Sequence, residues 1–268
     1  MEHKAKKSLG QNFLKSADAL RKIILAGEVS GKDTVLEIGP GKGALTEKIL
    51  SAGATVLAVE KDNDLLEFLH GKFATELDEK KFVLVHEDIL DFLPEEHGLR
   101  KGEYKIIANI PYNITGAILK KFLSGESQPE RMVLMVQNEV AKRIVARDQK
   151  ESLLSISVKA YGIPKIVTKV PARYFSPAPK VDSAVILIQN ISKNLFSEQK
   201  IDEKKFWNLL KTGFAHKRKV LAGNLKELNP KIDWQASLHK VNLSIKTRAE
   251  DLSINDWVKL YKNTHTLF

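Results

Sequence analysis

The chain has no cysteine among its 268 residues, which excludes a disulfide framework, a thiolate-bound zinc or iron–sulfur cluster, and a cysteine nucleophile. It also lacks long apolar runs. The longest, Met132–Val136 and Ala184–Ile188, fall far short of the roughly 20 residues a helix needs to cross a bilayer, so an integral membrane protein is not expected. The N-terminus passes from a lysine-rich start straight to Gly10, Gln11 and Asn12, without the apolar stretch of a secretory leader. A cytoplasmic protein is expected. The seven histidines, at positions 3, 70, 86, 97, 216, 239 and 265, show no metal-ligand spacing, so no structural or catalytic metal is expected. Internal repeats and low-complexity tracts are absent as well.

With 43% hydrophobic and 28% charged residues, the composition is that of a folded chain, and the length fits one large domain or two unequal ones. Acidic residues are in deficit. The formal charge is +10, and Ile191–Phe268 alone holds 15 Lys and Arg against 8 Asp and Glu. A basic segment of this kind lowers the energy of a nearby polyanion; a merely solvated surface is the competing reading.

The pattern along the chain alternates. Ser16 is placed to cap a helix over 16–26, after which Thr34–Ile38 reads as a buried strand, 44–52 as a helix and Thr55–Glu60 as a second strand. The alternation continues with a helix at 63–73, strands at 82–86 and 105–109, a helix at 115–123 and a strand at 131–137. The segment 153–161 reads as helical, and 165–170 and 183–189 as strands that form an antiparallel edge. Strands separated by helical segments imply an α/β fold with a mostly parallel sheet covered on both faces. The polar, aperiodic stretch 190–200 marks a domain boundary, giving domains 1–190 and 191–268. Beyond it Phe206, Leu209, Leu210, Gly213 and Phe214, and then Ile254, Trp257, Val258 and Tyr261, fall at helical spacing, so the second domain is expected to be small and all-helical.

Chemistry gathers at strand ends. Gly39, Gly41 and Gly43 follow the first strand as GxGxG, a spacing that serves either a tight turn or a backbone approaching a ligand. Glu60 closes the second strand, 19 residues after Gly41, where a carboxylate accepts from ribose hydroxyls. Asp88 follows the third, positioned to accept from an adenine amino group. Three such features in order fit an adenosine-bearing cofactor. At the end of the fourth strand stand Asn109, Ile110, Pro111 and Tyr112. Adenine N6 is a weak nucleophile because its lone pair is delocalised into the ring. The Asn109 amide oxygen and the Ile110 carbonyl can accept its two hydrogens and favour a pyramidal nitrogen, Pro111 fixes the carbonyl's direction, and Tyr112 offers a face for an extruded base. A proline turn with a packed tyrosine is the competing reading. In the C-terminal third, Lys217, Arg218 and Lys219 follow Phe214 as a basic cluster suited to RNA phosphates or to solvent.

Together, residues 11–14 (QNFL), 37–43, 109–112, 136–141 (VQNEVA) and 175–183 (FSPAPKVDS) resemble the ribosomal RNA small-subunit adenine N6,N6-dimethyltransferase family, of the KsgA type, from about Lys7 to the C-terminus. The resemblance implies a Rossmann-like S-adenosylmethionine-dependent methyltransferase sheet with helices on both faces, plus a small all-helical C-terminal domain. It implies that two adjacent adenines near the 3′ end of small-subunit rRNA are dimethylated; the basic helical segment and the complete 175–183 stretch favour a partly assembled small ribosomal subunit as the substrate, and a monomer without a membrane partner is expected. It assigns Asn12 and Leu14 to the cofactor, the loop of Gly39, Gly41 and Gly43 to its methionine end, Glu60 to its ribose and Asp88 to its adenine. Asn109 then touches both cofactor and target, and Tyr112 and Phe175 stack on the target base. The loop 147–152 (RDQKES) departs from the family pattern, and Lys42 and Ile110 also occur in the enzymes that modify large-subunit rRNA and confer macrolide resistance. That large-subunit activity, a non-catalytic RNA-binding assembly factor, and a nicotinamide dehydrogenase are the alternatives; the glycine spacing and the basic C-terminal segment disfavour the last.

Overall fold

The seven segments read as strands form strands, and all seven lie in one sheet. The computed structural model describes Lys6, residues 10–264 and Thr266. The chain folds into two units, one of residues 1–141 and 162–191, the other of residues 142–161 and 192–268. The segment 142–161, expected from the sequence to belong to the first domain, is thus grouped with the C-terminal residues.

The first unit contains β1 (Phe13–Leu14), α1 (Ala17–Gly27), β2 (Thr34–Ile38), α2 (Ala44–Ser51), β3 (Thr55–Glu60), α3 (Asn63–Lys72), α4 (Ala74–Asp78), β4 (Phe82–His86), β5 (Tyr104–Asn109), α5 (Thr115–Ser124) and β6 (Arg131–Gln137). After α6 (Asn138–Val145), whose C-terminal half belongs to the second unit, it is completed by β7 (Ile163–Val170), β8 (Phe175–Ser176) and β9 (Ser183–Gln189). Seven strands form one sheet in the order β4-β3-β2-β5-β6-β9-β7. The first five are parallel, and β9 runs antiparallel to both β6 and β7. Successive side chains of a strand point to opposite faces. Val35 and Ile107 on one face, and Leu36 and Ile106 on the other, are all 0% exposed, so both faces are covered. Each such side chain contributes about 1.5 to 3 kcal/mol on burial, more than the typical 1 kcal/mol of a helix cap; packing on the sheet outweighs the ends of its helices. The Ser16 hydroxyl does cap α1, accepting the Ala19 N–H at 3.2 Å.

In the second unit are α7 (Leu153–Lys159), α8 (Asn194–Glu198), α9 (Glu203–Gly213), α10 (Leu221–Leu225), α11 (Trp234–Lys240) and α12 (Ile254–Thr264), with no strand among its described residues. Its core is aromatic: the Phe206 ring meets those of Phe196 and Trp207 edge-on, and that of Tyr261 at 5.8 Å. The stretch 190–200, expected from its polar, aperiodic sequence to be a domain boundary, also holds α8, because Phe196 finds a buried place there despite its polar neighbours. The atypical loop 147–152 is tied down within this unit, Lys150 pairing with Asp251 at 2.5 Å and the Glu151 N–H donating to the Glu250 carbonyl at 2.8 Å.

Gly43 caps α2 at φ 76°, and a Cβ built there would stand 2.5 Å from the Phe73 ring. Gly43→Ala should therefore cost about 2 to 4 kcal/mol, combining a left-handed alanine with overpacking. Urea unfolding checks this; a loss below about 0.5 kcal/mol would mean that neither constraint operates.

Candidate active site

All five parallel strands end on the same edge of the sheet, and the strand order turns between β2 and β5, the place where open α/β sheets leave a crevice. A cavity of about 470 Å³ opens there, within the size range of small-ligand sites. Its walls include Asn12, Leu14, Gly39, Gly41, Glu60, Asp88, Asn109, Pro111 and Tyr112. Gly43 and Phe175 are not among them. Gly43 packs on Phe73, while Phe175 is only 4% exposed, pairs with Leu14 across the small β1–β8 sheet and joins the core. Ser176, its neighbour, reaches the cavity wall instead.

The glycine turn is pinned to β3 by the Gly39 N–H, which donates to the Val59 carbonyl at 2.9 Å. Gly39 sits at φ 64°, and a Cβ there would meet nothing within 4 Å: the space it would enter is the cavity. This is a cradle that a side chain would begin to fill, and it suits close approach of a ligand to the backbone.

Carboxylates line or underlie the same edge. The Glu60 Oε1 accepts the backbone N–H groups of Lys61 and Asp62, both at 2.9 Å; burial pushes its pKa up, against these bonds. Asp88 has its pKa held down by Lys61, whose ammonium lies 2.7 Å from Oδ2, and by the Leu90 N–H on Oδ1. Lys61 is 60% exposed, and exposed ion pairs are worth about 0 to 1 kcal/mol, so the lysine can yield Asp88 to a better-placed donor. Beneath the turn lies Glu37, 1% exposed, with the Thr46 hydroxyl donating to Oε2 at 2.6 Å. Burial pushes the Glu37 pKa up to about 8, so at neutral pH the acid is largely un-ionised.

The end of β5 and the N-terminal arm are joined by one bond. The Asn109 Nδ2 donates to the Asn12 backbone carbonyl at 2.9 Å, which fixes the amide and leaves Oδ1 as the end that can accept from a ligand. The arm is anchored again by Asp62, 2% exposed, which takes Gln11 Nε2 at 2.7 Å and Lys6 Nζ at 2.5 Å. Burial would raise the Asp62 pKa, but these partners bring it below the usual carboxylate range. The Tyr112 hydroxyl shares a 2.6 Å hydrogen bond with the buried Ser183 hydroxyl, which sets the ring; burial raises the Tyr112 pKa, keeping the phenol neutral. Glu37, Asp62 and Ser183 were given no role from the sequence. Asp62 carried a readable signal, an acid one residue before a helix; Glu37 and Ser183 sat inside quoted motifs, but the partner of Glu37 lies in the following helix and that of Ser183 is 71 residues away.

Within the second unit, Lys217, Arg218 and Lys219 occupy an exposed turn between α9 and α10. Its carbonyls are gathered from below by Asn224, 1% exposed, whose Nδ2 donates to Gly213 O at 2.6 Å and His216 O at 3.2 Å. No cluster of potential metal ligands occurs among the described residues, which leave out His3 and His265.

Glu37 gives a pH signature. A carboxyl whose folded pKa is raised stabilises the fold fully below its unfolded value of about 4.5 and loses that contribution as pH rises toward about 8. Glu37→Gln keeps an acceptor for Thr46 and cannot ionise, so the variant should gain on the parent by about 3 to 4 kcal/mol between pH 5 and 8. Urea unfolding across that range measures the gap; a gap independent of pH would contradict a neutral Glu37.

Among known proteins, the family described as "Ribosomal RNA adenine dimethylase" matches residues 2–265. The chain is 42% identical over 261 residues to ribosomal RNA small subunit methyltransferase A of Dehalococcoides mccartyi (strain CBDB1), covering 96% of this chain and 87% of that relative. It is 37% identical over 267 residues to the protein of the same name from Acaryochloris marina, covering 97% of each. A dimethyladenosine transferase from Plasmodium falciparum superposes with a TM-score of 0.79 at 26% identity, over 95% of this chain and 98% of that one. With its sheet, glycine turn and strand-end residues arranged as described, the chain belongs to the ribosomal RNA adenine dimethylase family.

Proposed function

We propose that this chain methylates N6 of two adjacent adenines near the 3′ end of small-subunit rRNA, twice each, acting as a monomer on a partly assembled small subunit. The observation that carries the reading is the Asn109 amide, fastened through Nδ2 at the cavity wall so that its oxygen is the end presented to a base. The names of the relatives from Dehalococcoides mccartyi and Acaryochloris marina support the small subunit as target.

The residues fit S-adenosylmethionine, which when bound supplies a sulfonium-activated methyl group as the electrophile. Glu60 offers its buried carboxylate to the ribose hydroxyls, Asp88 accepts from the adenine amino group, and the open space over Gly39 receives the methionine end. Asn12 and Leu14 cover the cofactor from the arm. On the target side, Asn109 Oδ1 and the Ile110 carbonyl accept the two N6 hydrogens, holding the nitrogen pyramidal with its lone pair turned to the methyl donor. Tyr112, held by Ser183, supplies the face on which the extruded base rests. Phe175 packs against the arm from behind the wall. No side-chain base is needed, because N6 becomes strongly acidic once methylated and sheds its proton to water. Lys217, Arg218 and Lys219 neutralise RNA phosphates and set the position of the substrate without reading its sequence.

The target decides the reading. Incubation with small subunits lacking the modification, and separately with unmethylated large-subunit RNA, followed by primer extension, should give adjacent stops only near the 3′ end of the small-subunit RNA. Stops confined to the large-subunit RNA would overturn it.

A further inference from the structure

Between β7 and β8 the chain makes a single 3₁₀ turn, Ala172–Tyr174, whose backbone is fixed from three sides. The Tyr174 N–H donates to the Pro171 carbonyl at 3.0 Å, and the Tyr174 carbonyl accepts the Lys15 N–H at 2.8 Å. The Asp182 carboxylate accepts the Ala172 N–H at 2.9 Å through Oδ1 while Oδ2 pairs with Lys169 at 2.7 Å. On this base neither side chain is buried. Tyr174 is 38% exposed, Arg173 is exposed, and the Arg173 guanidinium lies over the Tyr174 ring at 5.3 Å. The platform also has an address: Lys15, which binds its backbone, and Ser176, two residues on, both line the cavity.

An ordered, exposed tyrosine carrying a guanidinium is the surface on which unpaired bases stack, in contrast to a lysine cluster, which serves phosphates alone. The need for one is built into the reaction. Drawing an adenine out of its stack costs a few kcal/mol and strips one face of the neighbouring base. We propose that Arg173 and Tyr174 form a second RNA subsite at the rim of the cavity, where an unpaired base flanking the target adenine stacks. This rests on the reading that the cavity takes an adenine of RNA.

The test is methyl transfer to small ribosomal subunits that lack the modification, with KM for the particles and kcat read separately. Tyr174→Ala should raise KM roughly 5- to 100-fold, the range for one lost base–aromatic stack, with kcat and cofactor affinity by calorimetry within about twofold of the parent. Tyr174→Phe and Tyr174→Trp should restore KM, and Arg173→Ala should raise it while flattening its salt dependence by about one unit of slope. An unchanged KM in Tyr174→Ala, with the parent active, would overturn the subsite alone, as would Tyr174→Phe failing like Tyr174→Ala, which would assign the hydroxyl rather than the ring. A parent inactive on these particles would instead overturn the reading of the cavity, and the subsite with it.

Discussion

The hydrogen bond from Asn109 Nδ2 to the Asn12 carbonyl joins the two parts of the chain from which the site is made. One end belongs to the rigid sheet, the other to an arm outside it. Such a bond contributes a net of about 1 kcal/mol, whereas ordering each residue of an arm costs about 1 to 2 kcal/mol. The bond alone cannot hold the arm. Pairing of β1 with β8, burial of Leu14 and the grip of Asp62 on Gln11 and Lys6 supply the rest. In return, the arm's carbonyl decides which way the Asn109 amide faces, and so whether an acceptor points at a ligand.

Around that bond the charges are sorted by burial. Inside, Glu37 and Tyr112 are kept neutral, and Glu60 has its Oε1 engaged by backbone N–H groups. This arrangement stiffens the floor of the cavity without filling it with fixed negative charge. In the second unit, the exposed turn of Lys217, Arg218 and Lys219 carries positive charge where solvent screens it. The chemistry asks for fixed, desolvated acceptors, and RNA asks for an accessible cationic surface; the two requirements fall on different units.

The sheet was legible in the sequence because its inner strands, β2, β3, β5, β6 and β9, are buried on both faces and read as largely apolar runs bounded by turns. The ends of β2, β3, β6 and β9 fall at the residues expected. The line of Gly39, Glu60, Asp88 and Asn109 was legible for the same reason, since each closes a strand or stands within two residues of its end. What escaped was set by partners far away in the chain. Phe13–Leu14 is too short to show a strand period, and only its pairing with Phe175–Ser176 makes it one. Phe175, expected to face a base, is drawn into the core by that same pairing. The grouping of 142–161 with the C-terminal residues depends on side chains such as Tyr161, whose ring meets Phe196 at 5.4 Å, and no local pattern announces it.

The site depends on the orientation of the Asn109 amide, and Asn109→Asp isolates it. The carboxylate keeps acceptors of nearly the same shape but has no hydrogen to give the Asn12 carbonyl, so orientation is lost while acceptance is retained. Single-turnover methyl transfer to unmodified small subunits should then slow by about 10²- to 10³-fold, the scale for losing one preorganised group at a reacting centre. A rate within about threefold of the parent would show that the bond to the arm does not set the chemistry.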